Sequence, residues 1–190
     1  MLKIFLLDNH DSFTYNLAAM FDIYSNVKVS VFKPENTNIN KISEYDKIIF
    51  SPGPGLPSEH PLIRTIIDKY KNSKNILGIC LGHQAIGEYF GCKLKNYDLV
   101  NHGMIKKLSI IQPESPIFKN VPDNSEIGVY HSWYIENDNI PEQIRVTGLN
   151  EDGIIMAMEH KTYKIQSLQF HPESFITKFG KQMIENWLLI

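Results

Sequence analysis

The run Gly78-Ile79-Cys80-Leu81-Gly82-His83-Gln84 sets a cysteine between two glycines, where an apolar stretch gives way to helical spacing. A side chain is lifted clear of a sheet only by a tight, strained strand-to-helix turn, and glycines on both sides relieve the crowding there. Placed near a helix N-terminus, the sulfur sits by a partial positive charge. An ordinary thiol, with a pKa of about 8.5, is only a few per cent thiolate at neutral pH, so that charge helps create the reactive anion. The chemistry implied is nucleophilic attack by Cys80. The same run also fits a buried structural cysteine in a tight connection, and by itself it leaves both readings open.

A cysteine hydrolase needs a base within reach of sulfur and an acceptor on the base's other nitrogen. His171-Pro172-Glu173 offers both. Residues two apart in an extended segment point the same way, and Pro172 restricts the backbone between them, so Glu173 can orient His171. Taken without Cys80, the pair reads equally well as a surface His and Glu beside a helix cap; with Cys80 the balance moves to a Cys-His-Glu set. Ser51-Pro52-Gly53-Pro54-Gly55 suits an oxyanion site, because prolines stiffen it and glycines let backbone N–H groups approach a ligand. It also reads as a rigid turn, and it is not a Walker loop, since no Gly-Lys-Ser/Thr follows. In Tyr130-His131-Ser132-Trp133, His131 and Ser132 are candidates for binding polar substrate groups, and the run reads equally as an ordinary polar loop carrying aromatic side chains. His10, His60, His83, His102 and His160 show no metal-ligand spacing, so no metal is assigned. Cys92 reads as a structural thiol. Asp8 to Phe13 either lines the site or forms a contact surface, with Asp11-Ser12 explained by helix capping alone.

These groups need a scaffold that brings their loops together. Ile4–Leu7, Val27–Phe32, Ile48–Phe50 and Ile76–Ile79 are short, continuously apolar runs, the signature of strands buried on both faces. Between them lie helical patterns: one after Asp11-Ser12 carrying Phe13, Leu17, Ala18, Met20 and Phe21, one from Pro61 to Tyr70, and one carrying Gln84 to Phe90 and ended by Gly91. The pattern predicts an α/β fold with a mostly parallel central sheet flanked by helices. The second half adds strand-like runs at Ile105–Ile111, Ile127–Tyr130, Ile144–Leu149, Ile154–Glu159 and Ile165–Phe170, expected to be partly antiparallel, before a final helix from Ser174 to Leu189. In open α/β sheets chemistry gathers at the carboxyl ends of strands, which is where the Ser51, Cys80 and His171 loops fall.

Composition narrows the class. With 190 residues, 43% hydrophobic, the chain has the size of a single domain over 1–190 with a substantial core. A net charge of −2 with no Lys/Arg cluster gives no footprint for nucleic acid or an anionic membrane. Ile4–Leu7 is too short for a signal sequence or membrane span, and two cysteines make no disulfide framework, so a reducing cytoplasm is expected.

Together these motifs resemble, in order and over essentially the whole chain, the triad-type or class I glutamine amidotransferases. Gly78–Gln84 and His171-Pro172-Glu173-Ser174 resemble that family's nucleophile and base motifs. Asp8-Asn9-His10-Asp11-Ser12-Phe13-Thr14-Tyr15-Asn16 and the Ser51–Gly55 loop are similar to those of glutaminase subunits of chorismate-using synthases, which make anthranilate or 4-amino-4-deoxychorismate. The resemblance implies that Cys80 attacks the glutamine amide, with His171 as base and then acid and Glu173 orienting it. It implies that backbone N–H groups of Gly53 and Leu81 hold the oxyanion, and that Gly55, Gln84, Ser132 and Trp133 bind glutamine. A separate chorismate-binding large subunit, the holder of any magnesium, is the implied partner and receives the ammonia; no cofactor is implied in this chain. A free-standing cysteine hydrolase and a non-catalytic docking module are the competing readings. Three departures from the family pattern stand out: Met104-Ile105-Lys106 follows His102-Gly103 where Lys and Ser/Thr are usual, Val129 stands where arginine is common, and Trp133 where leucine is common.

Overall fold

A computed structural model describes the backbone of residues 1–190 and the side chains of residues 1–97 and 103–190. The first half alternates strand and helix: β1 (Leu2–Leu7), α1 (Thr14–Asp22), β2 (Val27–Phe32), β3 (Lys47–Phe50), α2 (Pro61–Tyr70), β4 (Asn75–Ile79) and α3 (Leu81–Tyr89). The second half supplies β5 (Leu94–Ile110), β6 (Ser125–Ile135), β7 (Ile144–Asn150), β8 (Ile155–His160), β9 (Ile165–Leu168) and a last helix, α4 (Gly180–Leu188). All nine strands join one sheet in the order β2-β1-β3-β4-β9-β8-β7-β5-β6. Strands from β2 to β9 in that order run parallel, and the pairings β9–β8, β8–β7, β7–β5 and β5–β6 are antiparallel.

The continuous apolar runs follow from burial on both faces. In β1, Ile4 and Leu6 face the cluster shared with Leu17 and Phe21 of α1 and Ile184 and Trp187 of α4. Phe5 and Leu7 face the opposite cluster, with Ile63, Ile66 and Ile67 of α2 and Ile86 of α3. Each such fully buried side chain is worth roughly 1.5–3 kcal/mol relative to exposure. A one-residue slip in β1 would exchange the two faces, so register is strongly held.

That register positions the site. Phe50 of β3 pairs with Gly78 of β4, and Gly78 with Ser167 of β9. The residues after these three strands, beginning at Ser51, Cys80 and Gln169, therefore leave the sheet side by side at its carboxyl edge.

Several boundaries differ from the sequence expectation. The last helix begins at Gly180 and not at Ser174, because residues 174–179 are held in successive turns by their own polar groups: Thr177 Oγ1 donates to the His171 carbonyl at 2.7 Å and accepts from Gly128 N at 3.0 Å. Gly180 then packs so closely on the Pro172 carbonyl that no Cβ would fit. At α1 the carboxylate of Asp11 accepts from Phe13 N at 2.8 Å, and Phe13 is the N-cap with no side-chain cap bond, so Asp11-Ser12 closes the preceding turn and does not cap the helix. The third helix starts at Leu81, directly behind the cysteine, and β5 and β6 extend well beyond Ile105–Ile111 and Ile127–Tyr130.

Candidate active site

Cys80 is the pivot of a sharp turn. Its φ of 52° and ψ of −103° lie where residues with a Cβ are strained, and it serves as N-cap of α3. Its N–H donates to the Leu168 carbonyl at 2.8 Å and its carbonyl accepts from Gln84 N at 3.0 Å, so strand and helix grip it from both sides. The flanking glycines are needed for space: a Cβ on Gly78 would lie 2.5 Å from the Gly82 carbonyl oxygen, and one on Gly82 would lie 2.6 Å from the Phe50 carbonyl oxygen. The sulfur thus stands at the positive end of α3.

His171 follows β9, with Nδ1 2.6 Å from Oε1 of Glu173 and both side chains out of solvent. Phe13 and Tyr130 both pack edge-on to the imidazole, with ring centroids 5.5 and 5.0 Å away. Burial by itself lowers the imidazole pKa, but Cys80 and Glu173 acting together outweigh it and hold His171 well above the ordinary histidine value. Among the described residues no hydrogen bond closes on the other ring nitrogen, Nε2, although Cys80 acts on the ring. Such contacts commonly tighten only when substrate is bound.

Facing the thiol is a cavity of about 240 Å³, bounded by Gly53–Gly55 on one side and by Tyr130–Trp133 on the other, with Gln84 beside Cys80. The Ser51–Gly55 loop is tied to the end of β1: Asn9 N donates to Ser51 Oγ at 2.9 Å and Asn9 Nδ2 to the Ser51 carbonyl at 3.0 Å. Gly53 is pressed between Leu81 and Asn9, where a Cβ would come within 2.5 Å of Leu81 Cδ2, and Gly55 has a φ of 75°. Among the described residues the backbone N–H groups of Gly53 and Leu81 donate to no acceptor of the chain.

The residues singled out in the sequence therefore converge: Cys80, Gly53, Gly55, Gln84, Ser132 and Trp133 line the cavity, and His171 and Glu173 stand behind the sulfur. Leu81, the residue after Cys80, is buried and is not among those that line the cavity. A wider cleft of about 760 Å³ between Arg64, Lys71 and His160 contains none of them. Of the departures, Val129 lies in the core, Met104 is exposed, and Trp133 borders the cavity while its carbonyl is fixed from inside the chain. The side chain of His102 is outside the described residues. Cys92 sits in the core, where burial pushes its thiol up to about 11. Among the described residues no group of three or more His, Cys, Asp or Glu is placed to hold a metal ion, and no helix is long and apolar enough to cross a membrane.

Sequence reasoning missed Gln169. Gln169 is fully buried, with Nε2 3.8 Å from the Cys80 sulfur. Its position two residues before His171 on an extended segment is the same signal that singled out Glu173, applied in the other direction. His83 is also buried; desolvation first and His131 second lower its pKa to about 3 against a Ser167 hydrogen bond that raises it, so the ring is neutral.

Known proteins resemble this chain over nearly its whole length. The family model for class-I glutamine amidotransferases matches residues 5–190. A Haemophilus influenzae protein assigned as anthranilate synthase component II is 39% identical over 189 residues, covering 100% of this chain and 97% of the relative. Anthranilate synthase component 2 of Cyanophora paradoxa is 39% identical over 188 residues, covering 97% of each. The crystal structure of a Thermoplasma acidophilum protein assigned to GMP synthase is similar in fold, with a TM-score of 0.84 at 24% identity over 99% of this chain and 92% of the other.

Proposed function

The chain belongs to the class I glutamine amidotransferases, and on that premise we propose that it is, as one domain, the glutaminase subunit of an anthranilate synthase. The observation that carries the reading is a strained cysteine at the mouth of an amino-acid-sized cavity, backed by a buried His171–Glu173 pair. In this reading the Cys80 sulfur attacks the side-chain amide carbon of glutamine. Negative charge develops on the carbonyl oxygen, toward the free N–H groups of Gly53 and Leu81; removal of one such donor typically costs roughly 10²–10³ in rate. His171 takes the thiol proton and returns it to the departing nitrogen, releasing ammonia and leaving a glutamyl thioester. A water then gives His171 a proton and its oxygen to the thioester carbon, and glutamate leaves as the proton returns to sulfur. Glu173 holds the imidazole in the tautomer that presents Nε2 to the sulfur.

Glutamine is the substrate, with Gly55, Gln84, Ser132 and Trp133 as its binding residues. The ammonia goes to a chorismate-binding synthase subunit, which carries any magnesium that reaction uses. A reducing cytoplasm suits a working thiol. The test combines this chain with anthranilate synthase and aminodeoxychorismate synthase large subunits in turn, supplying chorismate, magnesium and either glutamine or ammonium. Glutamine-dependent anthranilate formation that Cys80→Ala abolishes, while ammonium still supports product, is expected. Product only with the aminodeoxychorismate synthase subunit would move the chain to that pathway, and an unaffected glutamine-dependent rate in Cys80→Ala would overturn the mechanism.

A further inference from the structure

Beside the sulfur, a chain of side-chain amides runs from the cavity wall to the nucleophile. The Trp133 carbonyl accepts from Gln84 Nε2 at 2.8 Å and lies 2.8 Å from His131 Nδ1. Gln84 Nε2 also donates to Gln169 Oε1 at 3.2 Å, and Gln169 Nε2 lies 3.8 Å from Cys80 Sγ. Gln169 and Gln84 are both buried, Gln169 completely.

Taken singly, either carboxamide could be turned over, since its oxygen and nitrogen are alike in size. The chain removes that freedom. A backbone carbonyl only accepts, so the group Gln84 turns toward Trp133 must be its NH₂. The second hydrogen of that NH₂ requires an acceptor, which sets Gln169 with its oxygen toward Gln84 and its NH₂ toward the sulfur. A neutral thiol is a weak acceptor, whereas a thiolate accepts strongly, so a donor fixed in this direction favours the anion. A neutral amide does this without supplying a proton that could quench the nucleophile.

Resting on the glutaminase reading of Cys80, we infer that Gln169 is a further catalytic residue, its side-chain N–H stabilising the Cys80 thiolate, and that Gln84 is the positioning residue that sets its direction. The sulfur is then held from two sides, by the amide of Gln169 and by the imidazole of His171. The anchor of the relay is the carbonyl of Trp133, itself part of the cavity wall.

The full-length chain tests this by the pH dependence of Cys80 alkylation with iodoacetamide, mapped by mass spectrometry to separate it from Cys92. In Gln169→Met, which keeps the volume and removes the donor, the alkylation midpoint is expected to rise by about one pH unit, the scale of one hydrogen bond to a charged group. Gln169→Glu is expected to shift it further, by placing a carboxylate against the sulfur, and Gln84→Met to shift it less. In glutamine hydrolysis Gln169→Met should lower kcat with little change in KM, while Gln84→Met, at the cavity, should alter both. A folded Gln169→Met whose alkylation profile superimposes on that of the unaltered chain would overturn the inference. Should Gln169→Met fail to fold, Gln169→Asn, which withdraws the N–H by one methylene and keeps a polar group, is read in the same way. An unaltered chain that alkylates at Cys80 but releases no glutamate from glutamine would instead overturn the glutaminase reading, with the midpoints still deciding the role of the amide.

Discussion

The imidazole of His171 and the carboxylate of Glu173 are joined at 2.6 Å, and among the described residues the second carboxylate oxygen of Glu173 has no hydrogen-bond partner. A buried carboxylate is costly unless it is paired. Here its partner is a ring whose proton affinity Cys80 also raises. Proton transfer from sulfur to His171 therefore pairs the carboxylate with a full imidazolium at the moment the nucleophile forms.

This makes Glu173→Gln a sensitive probe. The glutamine amide occupies the same volume and leaves an oxygen for Nδ1–H, but the charge that supports the imidazolium is gone. Glutamine hydrolysis is expected to fall by about 10²–10⁴, the usual range for a disabled acid–base partner, with the thermal midpoint little changed. Steady-state glutamate release beside a melting curve checks it; an unchanged kcat would mean that Glu173 only packs.

The imidazole itself should report its neighbours. Burial lowers its pKa, and Cys80 and Glu173 raise it to a value well above the usual one. Removing the sulfur leaves burial opposed by Glu173 alone, so in Cys80→Ala the midpoint of His171 is expected to move down. Proton NMR of labelled histidine over a pH series measures it directly. A midpoint equal to that of the unaltered chain would show that sulfur and ring do not communicate.

Much of this site was legible because its demands are local. A turn that puts Cys80 at positive φ leaves no room for side chains at Gly78 and Gly82, and a base with its orienting acid fits within His171-Pro172-Glu173. The parallel half of the sheet was legible for a similar reason, since strands such as Ile4–Leu7 are buried on both faces and carry no polar alternation. Gln169 was not, because a glutamine in an apolar run has no signature of its own and its partner Gln84 is 85 residues away. The start of α4 was hidden for the same physical reason: residues 174–179 have helical spacing, but Thr177 binds the His171 carbonyl and Gly128, and Gly180 must fit against Pro172. Tertiary bonds there override local propensity.

The strain at Cys80 should be visible as stability. A non-glycine residue held at φ 52° and ψ −103° costs roughly 1–3 kcal/mol, and glycine avoids that cost while losing some stability through its freer unfolded chain. Cys80→Gly is therefore expected to be more stable than Cys80→Ala by about 1 kcal/mol, the reverse of the usual order for these residues. Urea unfolding of the two variants decides it, since neither carries the thiol. An alanine variant at least as stable as the glycine variant would mean that the turn is not strained.

His83 supplies a prediction on pH. It is buried and neutral, hydrogen-bonded to Ser167 at 2.9 Å, and desolvation, aided by His131, lowers its pKa to about 3. Its folded-state pKa is below the unfolded value of about 6.5, so stability is intact above that value. As pH falls the unfolded chain takes up a proton that the native state refuses, and stability is lost from about 6.5 down toward the folded pKa, at up to about 1.4 kcal/mol per unit. Between pH 7 and pH 5 that amounts to about 2 kcal/mol from this residue. His83→Gln retains a polar partner for Ser167 but does not titrate in this range, so it should lose about 2 kcal/mol less than the unaltered chain over the same interval. Paired urea titrations at the two pH values isolate the difference, because every other titrating group is common to both proteins. Equal losses would mean that His83 is protonated or solvated in the native state, contrary to its burial on α3, the helix that follows the nucleophile.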